Sequence, residues 1–164
     1  MAAFETVLIL ATFLCSLVAG FLFAFAVVVM PGIKNLDDAG FIRAFQVIDR
    51  VIQDSRPLFV LVWIGSAVTV LAAAVLGALG LHGVDLVLAI AAALIHVLCV
   101  QLPTFKINIP LNNALQRLDS RTMTADELEH ARAAFEPGWN RWNEIRTACA
   151  SFAALLLMLL LVRV

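Results

Sequence analysis

Residues 7–30 read VLILATFLCSLVAGFLFAFAVVVM, a stretch without one charged side chain. A helix of about 20 predominantly apolar residues crosses the hydrocarbon core of a bilayer, so this stretch is long enough to span one. It is not alone. No Asp, Glu, Lys or Arg lies between Glu5 and Lys34, Arg56 and Asp85, Asp85 and Lys106, or Arg146 and Arg163. Together those gaps hold 92 of the 164 residues. The chain is 63% hydrophobic and 14% charged, where a soluble domain is roughly 45–50% apolar and about 25% charged. The composition therefore speaks against a soluble enzyme and a disulfide-stapled secreted domain. A net charge of −1 offers no electrostatic hold on nucleic acid.

Four spans follow, at about 7–30, 58–80, 84–102 and 139–162. Hydrocarbon leaves backbone amides only internal partners, which makes helices the expected form. The fold class is all-α: a four-transmembrane-helix bundle in a single membrane domain, residues 1–164. The first span lacks a positively charged leader and is too long for a signal peptide's apolar region, so it belongs to the mature protein. Trp139 and Trp142 suit the headgroup level at the start of the fourth span. The two long connections carry Lys34, Arg43, Arg50, Arg56, Lys106, Arg117, Arg121, Arg132, Arg141 and Arg146, and the other side only Arg163. The positive-inside bias predicts cytoplasmic long loops and both termini outside in a multi-pass membrane protein.

Both long loops read as amphipathic helices. Asp37 caps one over about 37–56, with Phe41, Phe45, Ile48 and Ile52 on its apolar face and Asp49 mostly off it. Thr124 and Glu127 form a capping box for another over about 124–136, and Pro137-Gly138 is expected to end it. Small residues recur every fourth position, at Thr12, Ser16, Gly20 and Ala24 and at Gly65, Thr69, Ala73 and Gly77. Such stripes let helices approach closely inside one bundle; a homo-oligomer seam is the other reading.

The polar residues near the loop-side ends are the candidates for function. Asn108, Asn112 and Asn113 surround Pro110 after the third span, either capping a broken helix end or flooring a pocket. Trp139, Trp142, Asn143 and Arg146 fall on one helix face by spacing. They serve as membrane anchors, or as aromatic plates, an amide and a guanidinium for a flat ligand that carries oxygen. Gln46 and Arg50 either lie on a solvated face or turn into the same mouth. His96 is the one intramembrane titratable group away from the span ends. It is a hydrogen-bonded core residue, a base, or half of a two-ligand pair with Cys99. His82 and His130 cannot converge on it, so no metal site is expected. Cys15, Cys99 and Cys149 read as small packing residues.

Four pieces carry a resemblance: Val29-Met30-Pro31-Gly32; Ala44-Phe45-Gln46-Val47-Ile48-Asp49-Arg50; Thr104-Phe-Lys-Ile-Asn108-Ile-Pro110-Leu-Asn112-Asn113; and Trp142-Asn143-Glu-Ile-Arg146-Thr147. Together they resemble the anthrone oxygenase-like family of integral membrane proteins, over a stretch from Gly20 to about Thr147. Asp49 stands where that family commonly has Asn. The resemblance implies oxidation of an anthrone-type polycyclic aromatic by O2 as co-substrate, with no firmly expected cofactor. On that reading Asn108, Asn112, Asn143 and Arg146 hold the substrate oxygens, Trp139 or Trp142 stacks on the rings, and His96 is the candidate base, in a pocket at one mouth of the bundle. The alternative is a non-catalytic membrane protein that binds a lipid or quinone, or an accessory subunit of a membrane complex.

Overall fold

The computed structural model describes residues 2–54 and 56–164. Five helices run through them: α1 (Ala2–Ile33), α2 (Asp38–Gln53), α3 (Pro57–Ala78), α4 (Gly83–Gln116) and α5 (Ala125–Arg163). Among the described residues there is no strand. Four of the helices, all but α2, are long and apolar enough to cross a membrane.

The packing is inside-out in the way a bilayer demands. Phe13, Phe23, Val28, Val68, Val75, Leu94 and Leu159 point outward and are exposed. Small or slender residues such as Ala11, Cys15, Ala73, Ala89, Ala92, Ala150 and Ala153 fill the helix contacts. Lipid offers no hydrophobic drive for association, so close backbone approach must supply it. The glycines of α3 show this directly. A methyl group on Gly65 would meet Leu14 at 3.1 Å, and one on Gly77 would meet Leu81 at 3.1 Å and Phe4 at 3.4 Å. The α3 stripe is therefore an intramolecular seam. Gly20 meets nothing within 4 Å, so the α1 stripe is not used the same way along its length.

The spanning helices are longer than the apolar runs, because proline does not end them. Pro31 in α1 and Pro103 and Pro110 in α4 each follow a widened π turn. Met30, Leu102 and Ile109, the residues just before the prolines, donate five residues back, to Phe25, Val97 and Thr104. Proline lacks a donor and crowds the carbonyl four residues earlier. A π turn loosens that part of the ladder and lets the helix go on. Pro137 is the other departure from expectation: α5 passes straight through Pro137-Gly138 instead of breaking there. Pro137 and Ala133, whose carbonyl it cannot engage, are both exposed, so that carbonyl is free for water. Phe135 and Trp139, on either side of the proline, are buried and hold the helix in place against the proline penalty of about 3 kcal/mol.

α2 lies across one end of the bundle. Asp37 caps it by accepting from the Gly40 amide at 2.7 Å. Phe41, Ile42 and Phe45 are buried, and Phe45 meets the Phe135 ring at 4.6 Å and the Trp139 ring at 5.3 Å. Gln46 donates to the carbonyls of Leu115 and Leu118 at 2.8 and 2.9 Å, and Gln116 donates back to the Gln46 carbonyl at 2.9 Å. These bonds tie α2 to the last turn of α4. Arg132 of α5 draws in the α1–α2 connection, reaching Lys34 and Leu36 carbonyls and Asp38.

Candidate functional site

Beneath α2 lies a cavity of about 190 Å³. Each wall comes from a different helix. Phe21, Leu22 and Phe25 of α1 stand beside Phe59, Val60, Trp63 and Ile64 of α3. Thr104, Phe105, Asn108, Ile109 and Asn112 of α4 face Trp139, Asn143 and Arg146 of α5, and α2 supplies Phe45, Asp49 and Ile52. The π turn over Thr104–Asn108 ends at one of these wall residues, and the turn over Phe25–Val29 begins at another. Most of the lining is apolar and aromatic, with a few polar groups converging, which is the usual make-up of a small-molecule site.

The cationic pole is Arg146, 4% exposed. Its Nη1 donates to Thr104 Oγ1 at 2.8 Å and its Nη2 to Asn143 Oδ1 at 3.1 Å. Its Nε has no partner, and no described carboxylate lies within ion-pair distance. A guanidinium buried beside neutral oxygens alone is costly. A buried guanidinium N–H without a partner suits an anionic oxygen. Asn143 is anchored through Nδ2 to the Leu22 carbonyl at 3.2 Å. Asn108 Oδ1 is a second buried atom without a partner.

The anionic pole is Asp49, 2% exposed. It is buried, not on a solvated face: Asp49 lies four and eight residues beyond Phe45 and Phe41, on their stripe. Asn112 donates to Oδ1 at 2.7 Å, while Gln116 and Gln53 donate to Oδ2 at 3.0 and 2.7 Å. Burial pushes its carboxyl above the usual carboxylate range, against the opposing pull of those three amides. Asn112 in turn accepts the Trp139 indole N–H at 2.7 Å. The chain Asp49–Asn112–Trp139 thus fixes both the amide and the ring that face the cavity.

Of the residues singled out from sequence, Asn108, Asn112, Trp139, Asn143 and Arg146 line this cavity together. Four do not. His96 is fully buried outside the cavity lining, its Nε2 3.0 Å from Ser66 Oγ and 3.2 Å from Gln101 Nε2. Trp142 sits three residues from Trp139 but off the line of Trp139, Asn143 and Arg146. It faces an outer groove with Cys99, Lys106 and Cys149. Gln46 is spent on the α4 carbonyls. Arg50 faces an outer cleft with Arg43 and Arg121. The site is also no open mouth, since α2 covers it. Sequence reasoning missed Asp49, Thr104 and Trp63; the signal for Asp49 was its register with the two phenylalanines. Among the described residues no three of His, Cys, Asp and Glu gather to hold a metal.

The sequence profile described as anthrone oxygenase matches residues 57–156, which takes in α3, α4 and most of α5. No curated protein matches the chain, and neither does any solved structure.

Proposed function

From the premise that this chain belongs to the anthrone oxygenase family, we propose that it is a multi-pass membrane protein that oxidises an anthrone-type polycyclic aromatic with O2 in the cavity beneath α2. The observation that carries this reading is Arg146, a buried cation with no counter-anion and an unpartnered Nε–H, in the wall of a cavity lined largely by aromatic side chains.

The chemistry asks for three things. The anthrone methylene lies between two aryl rings and is conjugated to the ketone, so its proton is acidic. Losing it puts negative charge on the ketone oxygen. Arg146, with the amide dipoles of Asn143 and Asn108 beside it, stabilises that charge in a water-poor setting. Trp139 and Trp63 offer faces for the rings. The proton goes to Asp49, whose raised carboxyl makes it a better base than an exposed one. Since the anthrone methylene is acidic on its own, Asp49 sets how fast this chain moves the proton and is not what makes the reaction possible.

The electron-rich anion then gives one electron to O2, and the two radicals join to form a C–O bond at the former methylene carbon. Asp49 returns its proton to the peroxide, and loss of the second proton from that carbon breaks the O–O bond; the departing hydroxide takes that second proton and leaves as water. One CH2 and one O2 become one C=O and one H2O, which balances without a further reductant. His96, outside the cavity lining, has no part in this sequence.

The test is oxygen uptake by membranes given emodin anthrone, comparing wild type with Asn143→Ala. Uptake well above an empty-membrane control, and a loss of about 10²-fold in the variant as expected for a preorganised oxyanion donor, supports the reading. Equal uptake by both above that control removes the proposed site, and none from wild type removes the activity.

A further inference from the structure

The cavity is closed toward water and open toward lipid. On the loop side α2 seals it: Phe45 and Asp49 are 1% and 2% exposed, and the Gln46 and Gln116 bonds clamp the helix down. Toward the middle of the bundle, α3 and α4 are cross-linked by the Ser66–His96 contact and the Gln101–Trp63 carbonyl bond. Past Gln101 they part. Thr104–Asn108 and the following turn pack on α5 and α2 instead. The gap is rimmed by Val60 and Ile64 of α3 and by Phe105 and Ile109 of α4. All four line the cavity and are also exposed, at 41, 49, 52 and 37%.

What these residues are exposed to follows from depth. Phe105 lies 22 residues beyond Gly83 at the opposite end of α4, about 33 Å along the axis, close to the ~30 Å hydrocarbon thickness. Ile64 lies eight residues inside Arg56, about 12 Å deep by the same rise. The gap thus runs from the headgroup boundary into the acyl layer, the depth at which flat aromatics with one polar edge reside.

We infer that the space between Val60–Ile64 of α3 and Phe105–Ile109 of α4 is a lateral portal through which a membrane-dissolved polycyclic phenol or ketone reaches Arg146 from the bilayer, and through which the product leaves. This rests on the reading of the cavity as the substrate site. An oxygen-bearing edge travelling in from the headgroup boundary meets Asn108 and then the guanidinium, while the rings stay among apolar side chains throughout. Substrate specificity then has a membrane component: a molecule that does not partition into lipid does not reach the site, however well it would fit.

Narrowing a path slows traffic both ways and leaves affinity alone, which a change of site does not do. The test is stopped-flow binding of 1,8-dihydroxyanthraquinone to protein in nanodiscs, read by quenching of Trp63 and Trp139. The variants are Ile64→Phe, Ile109→Phe and their double; both side chains sit at the rim of the cavity and are partly exposed, so the helix contacts that hold the bundle are left alone. Val47→Phe on the exposed face of α2 is the control. The portal predicts that association and dissociation both slow by about tenfold in the double variant, as when binding waits on a conformational step, with the control unchanged, whereas a lost site contact would speed dissociation. Unchanged rates in the double variant, or slowing in Val47→Phe alone, overturn the portal while leaving the site reading intact. No quenching in wild type overturns both.

Discussion

At the scale of single residues, the molecule places two charges in one apolar chamber and pairs neither with its opposite. Replacing Asp49 by Asn tests what its charge contributes. Because burial raises the Asp49 carboxyl above the ordinary range, the charged, proton-accepting form is lost as pH falls through a value higher than that of a surface carboxylate. Oxygen uptake on an anthrone should therefore drop with acidification in wild type. In Asp49→Asn that acid limb should vanish, and the neutral-pH rate should fall roughly tenfold, less than the 10²–10⁴ typical of an obligatory base. The linked stability runs the other way. An acid whose folded-state value is raised stabilises the protein below the unfolded value, and that contribution is lost as pH rises through the folded one. An acid limb that persists in the variant assigns the titration elsewhere. Much of this site was legible. Trp139, Asn143 and Arg146 follow helical spacing and share the cavity; Trp142, roughly 60° round the helix from Trp139, faces the outer groove beside Cys99 and Lys106 of α4. His96 was singled out as the lone titratable group in a span, but polarity alone does not say whether it lines the cavity.

Elements show where local rules yield to packing. Apolar length and caps located every helix, and the capping box of Thr124 and Glu127 is present. Proline misled in one direction each time: Pro103, Pro110 and Pro137 look like ends and are passages. Two are carried by π turns and one by buried aromatics on both flanks, neither of which leaves a mark in the local sequence. For α2, a 16-residue helix, isolated stability is marginal, so docking through Phe45 must hold it. Phe45→Ala should cost about 3–5 kcal/mol of that docking. Amide exchange over residues 38–53 should then rise sharply in detergent-solubilised protein while α3 stays protected. Exchange that stays as slow as in wild type would mean that α2 is held by its hydrogen bonds to α4 alone.

For the whole molecule, four long helices converge on one covered chamber, and the covering helix makes the difference between a wet rim and an enclosed site. Composition revealed the four membrane-capable spans, though not that the last of them and the helix before it are one. The apolar face of Phe41 and Phe45 also predicts an amphipathic helix over one mouth of the bundle, and α2 lies there; what the sequence does not show is that Asp49 on it turns into the cavity. Arg146 stands buried in that chamber without a counter-anion, and a bound oxyanion would supply one. The direct measurement is a visible-absorbance titration of 1,8-dihydroxyanthraquinone bound to the protein in nanodiscs, with Arg146→Gln alongside. The account predicts that the bound phenol ionises at least about one pH unit below the same compound in empty nanodiscs, a differential stabilisation of ~1.4 kcal/mol or more, and that the shift disappears in Arg146→Gln. A bound phenol that ionises at the same pH or higher in wild type, or identically in both proteins, contradicts it.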